Sequence, residues 1–210
     1  MPRIRLIAGP NGSGKTTLFT TLQEHNDVHF GQYINPDDVA LTLKDYSVNG
    51  SLIDPENTAK MSQKICTGLR ERYLDLGLSL TYESVMSHES HLEYIKRAKA
   101  KGYKTYLYYV CINDPEVNIA RVKERVGSGG HGVPDEKVIG RYKRSLENLY
   151  EMTMLCERVY YFDNSYEQEL FAEKSENGLL KIKVDKYNKL KPLWFQKNIL
   201  EKWDKSKIRY

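Results

Sequence analysis

The chain predicts an α/β fold in which a mostly parallel sheet carries helices on both faces. Three observations predict it. Short β-type runs alternate with segments of helical spacing along most of the 210 residues. A glycine-rich loop follows the first of these runs and opens the first helical segment. No internal repeat, low-complexity linker or sharp change of composition divides the chain, so residues 1–210 are expected to form one domain.

The first strand is RIRLIAG, residues 3–9, and helical spacing follows near 15–25. HFGQYIN (29–35) is the second strand, and Asn35-Pro36-Asp37-Asp38 then marks a turn into a helix near 37–45. A long helical segment near 55–76 leads to LSLTYES (78–84), where apolar and polar residues alternate as they do in a strand. A helix near 89–101 precedes KTYLYYVCIN (104–113), a nearly continuous apolar run of the kind that fills the middle of a parallel sheet. Helices are expected near 114–126 and 135–156, with RVYYFDN (158–164) as a further strand. GLLKIKVD (178–185) is expected to add one edge strand before a last helix.

Composition narrows the class. Hydrophobic residues make up 40% of the chain, enough to bury a core, and no segment approaches the eighteen or so uninterrupted apolar residues that span a bilayer. A soluble protein with no membrane partner is expected. Cys66, Cys111 and Cys156 form no C-x-x-C pair, which argues against a disulfide framework or a zinc site and for a reducing, cytoplasmic compartment. The net charge of +4 is uneven, because residues 181–210 hold ten Lys/Arg against three acidic residues. Residues 178–210 therefore form a basic appendage, whose Trp194, Phe195 and Trp203 are expected to pack on the core. With aromatic-rich basic clustering confined to this tail and no nucleic-acid motif present, nucleic acid is not an expected partner.

Gly9 to Thr16, GPNGSGKT, fits G-x-x-x-x-G-K-[ST]. Small residues let successive N–H groups curve around a phosphate, and the following helix points its positive end at the same anion. Gly9, Pro10, Asn11, Gly12, Ser13, Gly14, Lys15, Thr16 and Thr17 are thus the expected nucleotide-binding residues. Lys15 reaches the outer phosphates, and the Thr16 hydroxyl ligates magnesium. Asp37, at the mouth of the second strand, can accept the proton of an attacking hydroxyl, while Asp38 is left as a helix cap. Glu83, with Ser84 beside it, ends the third strand at the same rim and can orient an acceptor or hold magnesium through water.

Residues 118–149 read as helix, glycine-rich loop, helix, a lid hinged at Gly127, Gly129, Gly130 and Gly132. Arg121 and Arg125 are four apart and Arg141 and Arg144 three apart, so each pair shares a helical face and can bring charge to a phosphoryl group. His131 lies in the loop and can touch phosphate. His88 and His91 show no metal pattern and are expected at the surface.

LIAGPNGSGKTT, YINPDDVA, YESVMSH and above all RVKERVGSGGHGVPDEKVIGRYKRSLENL resemble the compact branch of zeta toxin-like P-loop kinases, over roughly residues 3–165. The resemblance implies a three-layer P-loop kinase-like fold with a helical, glycine-rich lid, and an enzyme that uses ATP and Mg2+. It implies transfer of the γ-phosphoryl group to the sugar of UDP-N-acetylglucosamine, with a nucleoside or NAD-like acceptor as the runner-up, and an antitoxin protein as partner. By motif it places the phosphate-loop lysine on Lys15, the catalytic aspartate on Asp37, the substrate-side glutamate on Glu83 and the first phosphate-clamping arginine on Arg121. The second clamp falls near His131, leaving His131, Arg125, Arg141 and Arg144 as its candidates. A nucleotide-dependent binding module and a nucleic-acid kinase are the alternative functions.

Overall fold

Burial sorts the apolar runs of the sequence into a sheet. The computed structural model describes residues 1–25, 29–43, 47–48, 51–52, 54–127 and 132–210. Its elements are β1 (Arg3–Ala8), α1 (Lys15–His25), β2 (Gln32–Ile34), α2 (Pro36–Leu43), the short β3 (Ser47–Val48) and β4 (Ser51–Leu52), α3 (Pro55–Asp75) and β5 (Leu80–Ser84). They continue with α4 (Ser90–Ala100), β6 (Lys104–Cys111), α5 (Pro115–Gly127), α6 (Asp135–Glu147), α7 (Leu149–Leu155), β7 (Arg158–Asp163) and β8 (Glu169–Lys174). β9 (Leu180–Ile182), α8 (Val184–Leu190), α9 (Leu193–Asn198) and β10 (Ile208–Arg209) complete the chain.

The strand order of the main sheet is β10-β9-β8-β7-β6-β1-β5-β2. β2, β5, β1, β6 and β7 run parallel, with Ile4 of β1 level with Leu80 of β5 and Thr105 of β6. β8 is antiparallel to both β7 and β9. The nearly continuous apolar run of β6 reflects cover on both faces. Leu107, Tyr109 and Cys111 enter the large core with Cys66 and Leu74 of α3, Ile95 of α4, Met152 of α7 and Phe195 of α9. Tyr108 and Val110 point the other way, to Leu18 and Phe19 of α1. β1 sits between β5 and β6, and the chain leaves it toward one side and later returns to the other. The loop after β1 therefore opens into a crevice at the carboxyl ends of the strands.

Three boundaries differ from the sequence reading. The helix expected over 135–156 is two helices, divided at Asn148, whose side-chain amide donates to the Met86 carbonyl (3.1 Å). β8 was not foreseen. It inserts between β7 and β9, and its buried Lys174 donates to the Cys156 carbonyl. The strand expected over 178–185 is β9, limited to three residues and covered on its outer edge by β10.

The tail aromatics pack as expected. Trp194, Phe195 and Trp203 are buried, and the Trp194 indole donates to Asp163 Oδ2 at 2.8 Å. Lys186 and Lys189 spend tail charge on Glu169, at 2.9 and 2.7 Å. The three cysteines are buried and free, and no helix among the described residues is long and apolar enough to cross a membrane.

Candidate active site

The loop after β1 has the backbone its glycines permit. Gly12 and Gly14 hold φ of 72° and 94°, in the left-handed region that a side chain disfavours. A Cβ would stand 2.7 Å from the Asn118 carbonyl oxygen at Gly12 and 2.4 Å from Asn164 Nδ2 at Gly14. Side-chain amides clamp the loop: Asn118 Nδ2 donates to the Asn11 carbonyl (2.6 Å), Asn164 Nδ2 to that of Ser13 (2.9 Å) and Gln168 Nε2 to that of Gly14 (3.1 Å). With these carbonyls engaged, the loop has the arrangement it needs to turn N–H groups toward an anion. α1 starts at Lys15 with no acidic residue in its first turn, so its positive end is not neutralised.

Lys15 is buried, donates to the Pro10 carbonyl (3.0 Å) and lies 3.9 Å from Glu83 Oε1. Burial pushes its pKa down, against the opposing pull of Glu83 and Asp37, so a phosphate in the loop would add counter-charge to a largely desolvated ammonium. Glu83 is the hub of the rim. Its Oε2 accepts from the Thr16 hydroxyl (2.9 Å) and from the Tyr33 hydroxyl (2.7 Å). Tyr33 is stacked on Phe19 at 3.7 Å, and burial and the Glu83 charge raise its pKa, so it acts as a donor. Thr17, next to Thr16, is exposed on the first turn of α1.

Asp37 opens α2, where its N–H donates to Asn35 Oδ1 (3.0 Å). Asn35, and not Asp38, is therefore the cap. Asp38 has its pKa raised by partial burial and by the nearby Glu83 and Asp37 charges. The Asp37 carboxylate pairs with Arg125 of α5 at 3.0 Å. Both line a cavity of about 810 Å³ together with Asn11, Gly12, Lys15, Glu83, Ser84 and Arg141. Burial, with Arg144 nearby, lowers the pKa of Arg141. Arg144 itself turns to the Ser87 carbonyl (3.3 Å) and does not line the cavity. Arg121 lies on α5 between Asn118 and Arg125, half-buried and outside the cavity lining. His131, Gly129 and Gly130 lie outside the described residues.

The zeta toxin family model matches residues 1–176. The chain belongs to the zeta toxin family. Among its relatives is an uncharacterized protein of Haemophilus influenzae, 32% identical over 134 residues that cover 64% of this chain and 88% of the relative. The solved AvrRxo1-ORF1:-ORF2 complex with ATP is similar with a TM-score of 0.65 at 18% identity, covering 90% of this chain. This chain spans only 63% of that structure's length. The PezAT chromosomal toxin-antitoxin system of Streptococcus pneumoniae is similar with a TM-score of 0.58 at 17% identity, covering 99% of this chain and 82% of that one. At these identities the likeness shows the fold alone, a mixed α/β, P-loop kinase-like one. Family and fold together support a nucleotide-dependent P-loop kinase, a phosphotransferase.

Sequence reasoning missed several residues of this zeta toxin site. His91, expected at the surface, lines the cavity and meets Ser84 Oγ at 2.8 Å and Arg70 Nη1 at 3.3 Å. His88 is exposed, as expected, and lines the cavity too, with Nδ1 3.0 Å from Ser90 Oγ. Tyr33, Arg70 and the loop clamps Asn118, Asn164 and Gln168 were not singled out. Glu83 lies 50 residues from Tyr33, His91 lies 21 from Arg70, and the loop carbonyls lie more than 100 from the three amides, so nothing local marks these contacts.

Proposed function

We propose that this zeta toxin family member transfers the γ-phosphoryl group of ATP to a hydroxyl of a small molecule, with UDP-N-acetylglucosamine as the leading acceptor. The observation that carries this reading is the convergence on one cavity of a phosphate loop, its lysine, the exposed carboxylate Asp37 and the lid cations Arg125 and Arg141. A module that only sensed nucleotide would have no use for a carboxylate at that place.

In this reading the loop and Lys15 hold the triphosphate. Arg125 and Arg141, from the two helices of the 118–149 lid, balance charge on the phosphoryl group in transit, with Arg121 one turn back along α5. Asp37 takes the proton of the attacking hydroxyl, and Glu83 and Ser84 orient the acceptor. Thr16 and Glu83 also fit magnesium: they offer a hydroxyl and a carboxylate oxygen 2.9 Å apart beside the loop. Magnesium favours such hard donors and fills its remaining positions with phosphate and water. When bound, it neutralises phosphate charge. We extend to this chain the antitoxin partner of the PezAT system, a cytoplasmic site of action, and a single kinase domain over residues 1–210.

The test is an untargeted screen for phosphorylated products after incubating the protein with ATP, magnesium and a bacterial metabolite extract. A phosphorylated UDP-N-acetylglucosamine is the expected product. A phosphorylated nucleoside or NAD-like compound would keep the chemistry and change the acceptor. ATP binding with no phosphorylated product would contradict the kinase reading and favour a binding module.

A further inference from the structure

The loop after β5 holds a residue in an unfavourable backbone conformation, and a long-range contact keeps it there. Met86 has φ of 58°, in the left-handed region, although it carries a side chain. Such a residue persists only where its surroundings over-determine it. Met86 is fully buried in the large core. Its N–H donates to Ser84 Oγ (2.9 Å), and its carbonyl accepts from Asn148 Nδ2 (3.1 Å). The next carbonyl, that of Ser87, accepts from Arg144 Nε (3.3 Å). Ser84, Val85, Ser87 and His88, on either side of Met86, line the cavity. The left-handed turn therefore fixes how this stretch of the cavity wall is presented.

Asn148 is not spent in the usual way. It lies at the junction of α6 and α7, where Asn commonly starts a helix by accepting from an N–H of the first turn. Its φ and ψ are −76° and −13°, helical rather than extended, and its side chain makes no such bond. The amide reaches instead across 62 residues of sequence to Met86. Arg144 stands one turn earlier on the same side of α6, so both donors to the loop come from one helix. That helix is anchored at the end of β6: Tyr142 Oη donates to the Ile112 carbonyl (2.8 Å), and Ser145 Oγ lies 3.0 Å from Tyr109 Oη. Its first half brings Lys137 and Arg141 to the cavity. One helix thus links the lid cations to the loop that carries Ser84.

We propose that Asn148 is a positioning residue for the phosphoryl acceptor: by holding the Met86 carbonyl it keeps the 84–88 loop in the turned form that binds the acceptor. The proposal rests on the kinase reading of the cavity and deepens it. Asn148 does not line the cavity and acts through Met86. A residue needed only to start α7 would be replaceable by Ser or Asp, which start helices about as well as Asn does. Neither replaces the donor. The Ser hydroxyl stops one bond short, and an Asp carboxylate sets a second acceptor against the Met86 carbonyl.

The test compares wild type, Asn148→Ser and Asn148→Asp in two measurements. In the first, labelled ATP, magnesium and a titration of deproteinised bacterial metabolite extract, the acceptor probe, give the extract concentration at half-maximal transfer. It should rise by at least about threefold in Asn148→Ser, the worth of one neutral hydrogen bond, and further in Asn148→Asp, with affinity for a non-hydrolysable ATP analogue unchanged. In the second, backbone amide hydrogen exchange is followed with the analogue bound. Exchange should quicken at residues 85–88 in both variants and stay at the wild-type rate in β1. Equal half-saturation in all three proteins or equal exchange at 85–88 would overturn the proposal. So would faster exchange that includes β1, or lost binding of the analogue in both variants, since either makes Asn148 a residue of the fold. Label on no organic product with the wild type would overturn the kinase reading itself, and is seen before any variant is compared.

Discussion

Replacing Asp37 by Asn separates a structural role from a chemical one, because the two differ in size. The substitution keeps the shape of the side chain and removes its charge. Asp37 makes a backbone N–H bond to Asn35 Oδ1, which any residue there retains, and an ion pair with Arg125 at 3.0 Å. The pair is half in solvent, with side chains 50% and 42% exposed. Such a pair contributes about 0.2–1 kcal/mol, so the melting midpoint should fall by no more than about 2–4 °C for a chain of this size. Loss of a general base costs roughly a hundredfold to ten-thousandfold in rate, or about 2.7–5.4 kcal/mol of barrier. Nucleotide affinity should hold or rise slightly, since a negative charge leaves the neighbourhood of the phosphates. The assay is product formation from ATP and the identified acceptor, alongside thermal unfolding and nucleotide titration of the same preparations. Turnover within about threefold of wild type would remove Asp37 from the chemistry, because it is far less than a base contributes. A stability loss of several kcal/mol would show that its role is in the fold.

Three further outcomes are expected. Lys15→Ala should weaken ATP binding by at least about tenfold with the fold intact, because the side chain is held against the loop and its burial costs the charged form; unchanged affinity in calorimetry would remove the phosphate-loop assignment. Arg125→Ala should lower turnover by on the order of a thousandfold with ground-state ATP affinity kept, and by more than Arg121→Ala, since Arg125 lines the cavity and Arg121 does not; a larger loss in Arg121→Ala would reverse the assignment. The third concerns His91, whose pKa falls from 6.5 to about 3 on folding, so the unfolded chain binds the extra proton between those values. Its contribution is complete above pH 6.5 and is lost as the pH falls toward 3, by up to about 1.4 kcal/mol per pH unit. Urea unfolding at pH 5 and 6.5 should show that slope reduced in His91→Gln, and an identical slope in both proteins would contradict the burial of a neutral ring.

The legible parts of this molecule are those written locally. Gly12 and Gly14 mark the loop because its backbone enters a region that only glycine adopts cheaply, and the apolar run of β6 marks a strand covered on both faces. The carboxylates Asp37 and Glu83 follow from their places at strand ends. β8 was not legible, because the burial along ELFAEK does not alternate cleanly and comes from antiparallel pairing with β7 and β9. The lid arginines could be paired by helical spacing, but which of them turns inward depends on how α5 and α6 pack at Ile119, Val122 and Val138. His91 illustrates the same limit most clearly. Burial and the Arg70 charge keep its ring neutral, and Arg70 lies twenty-one residues earlier in the chain, a neighbour that nothing in SHESH records.

Phosphoryl transfer is tested most simply by following the labelled γ-phosphoryl group of ATP. Wild-type protein, Lys15→Ala and Asp37→Asn are incubated with magnesium and metabolite extract, and the label is partitioned between organic product, inorganic phosphate and unreacted ATP. Label is expected on a hydroxyl of a small molecule with the wild type, little with Asp37→Asn despite intact nucleotide binding, and little with Lys15→Ala because binding itself is weakened. Label recovered only as ATP or inorganic phosphate with the wild type, or full transfer by Asp37→Asn, would contradict this expectation.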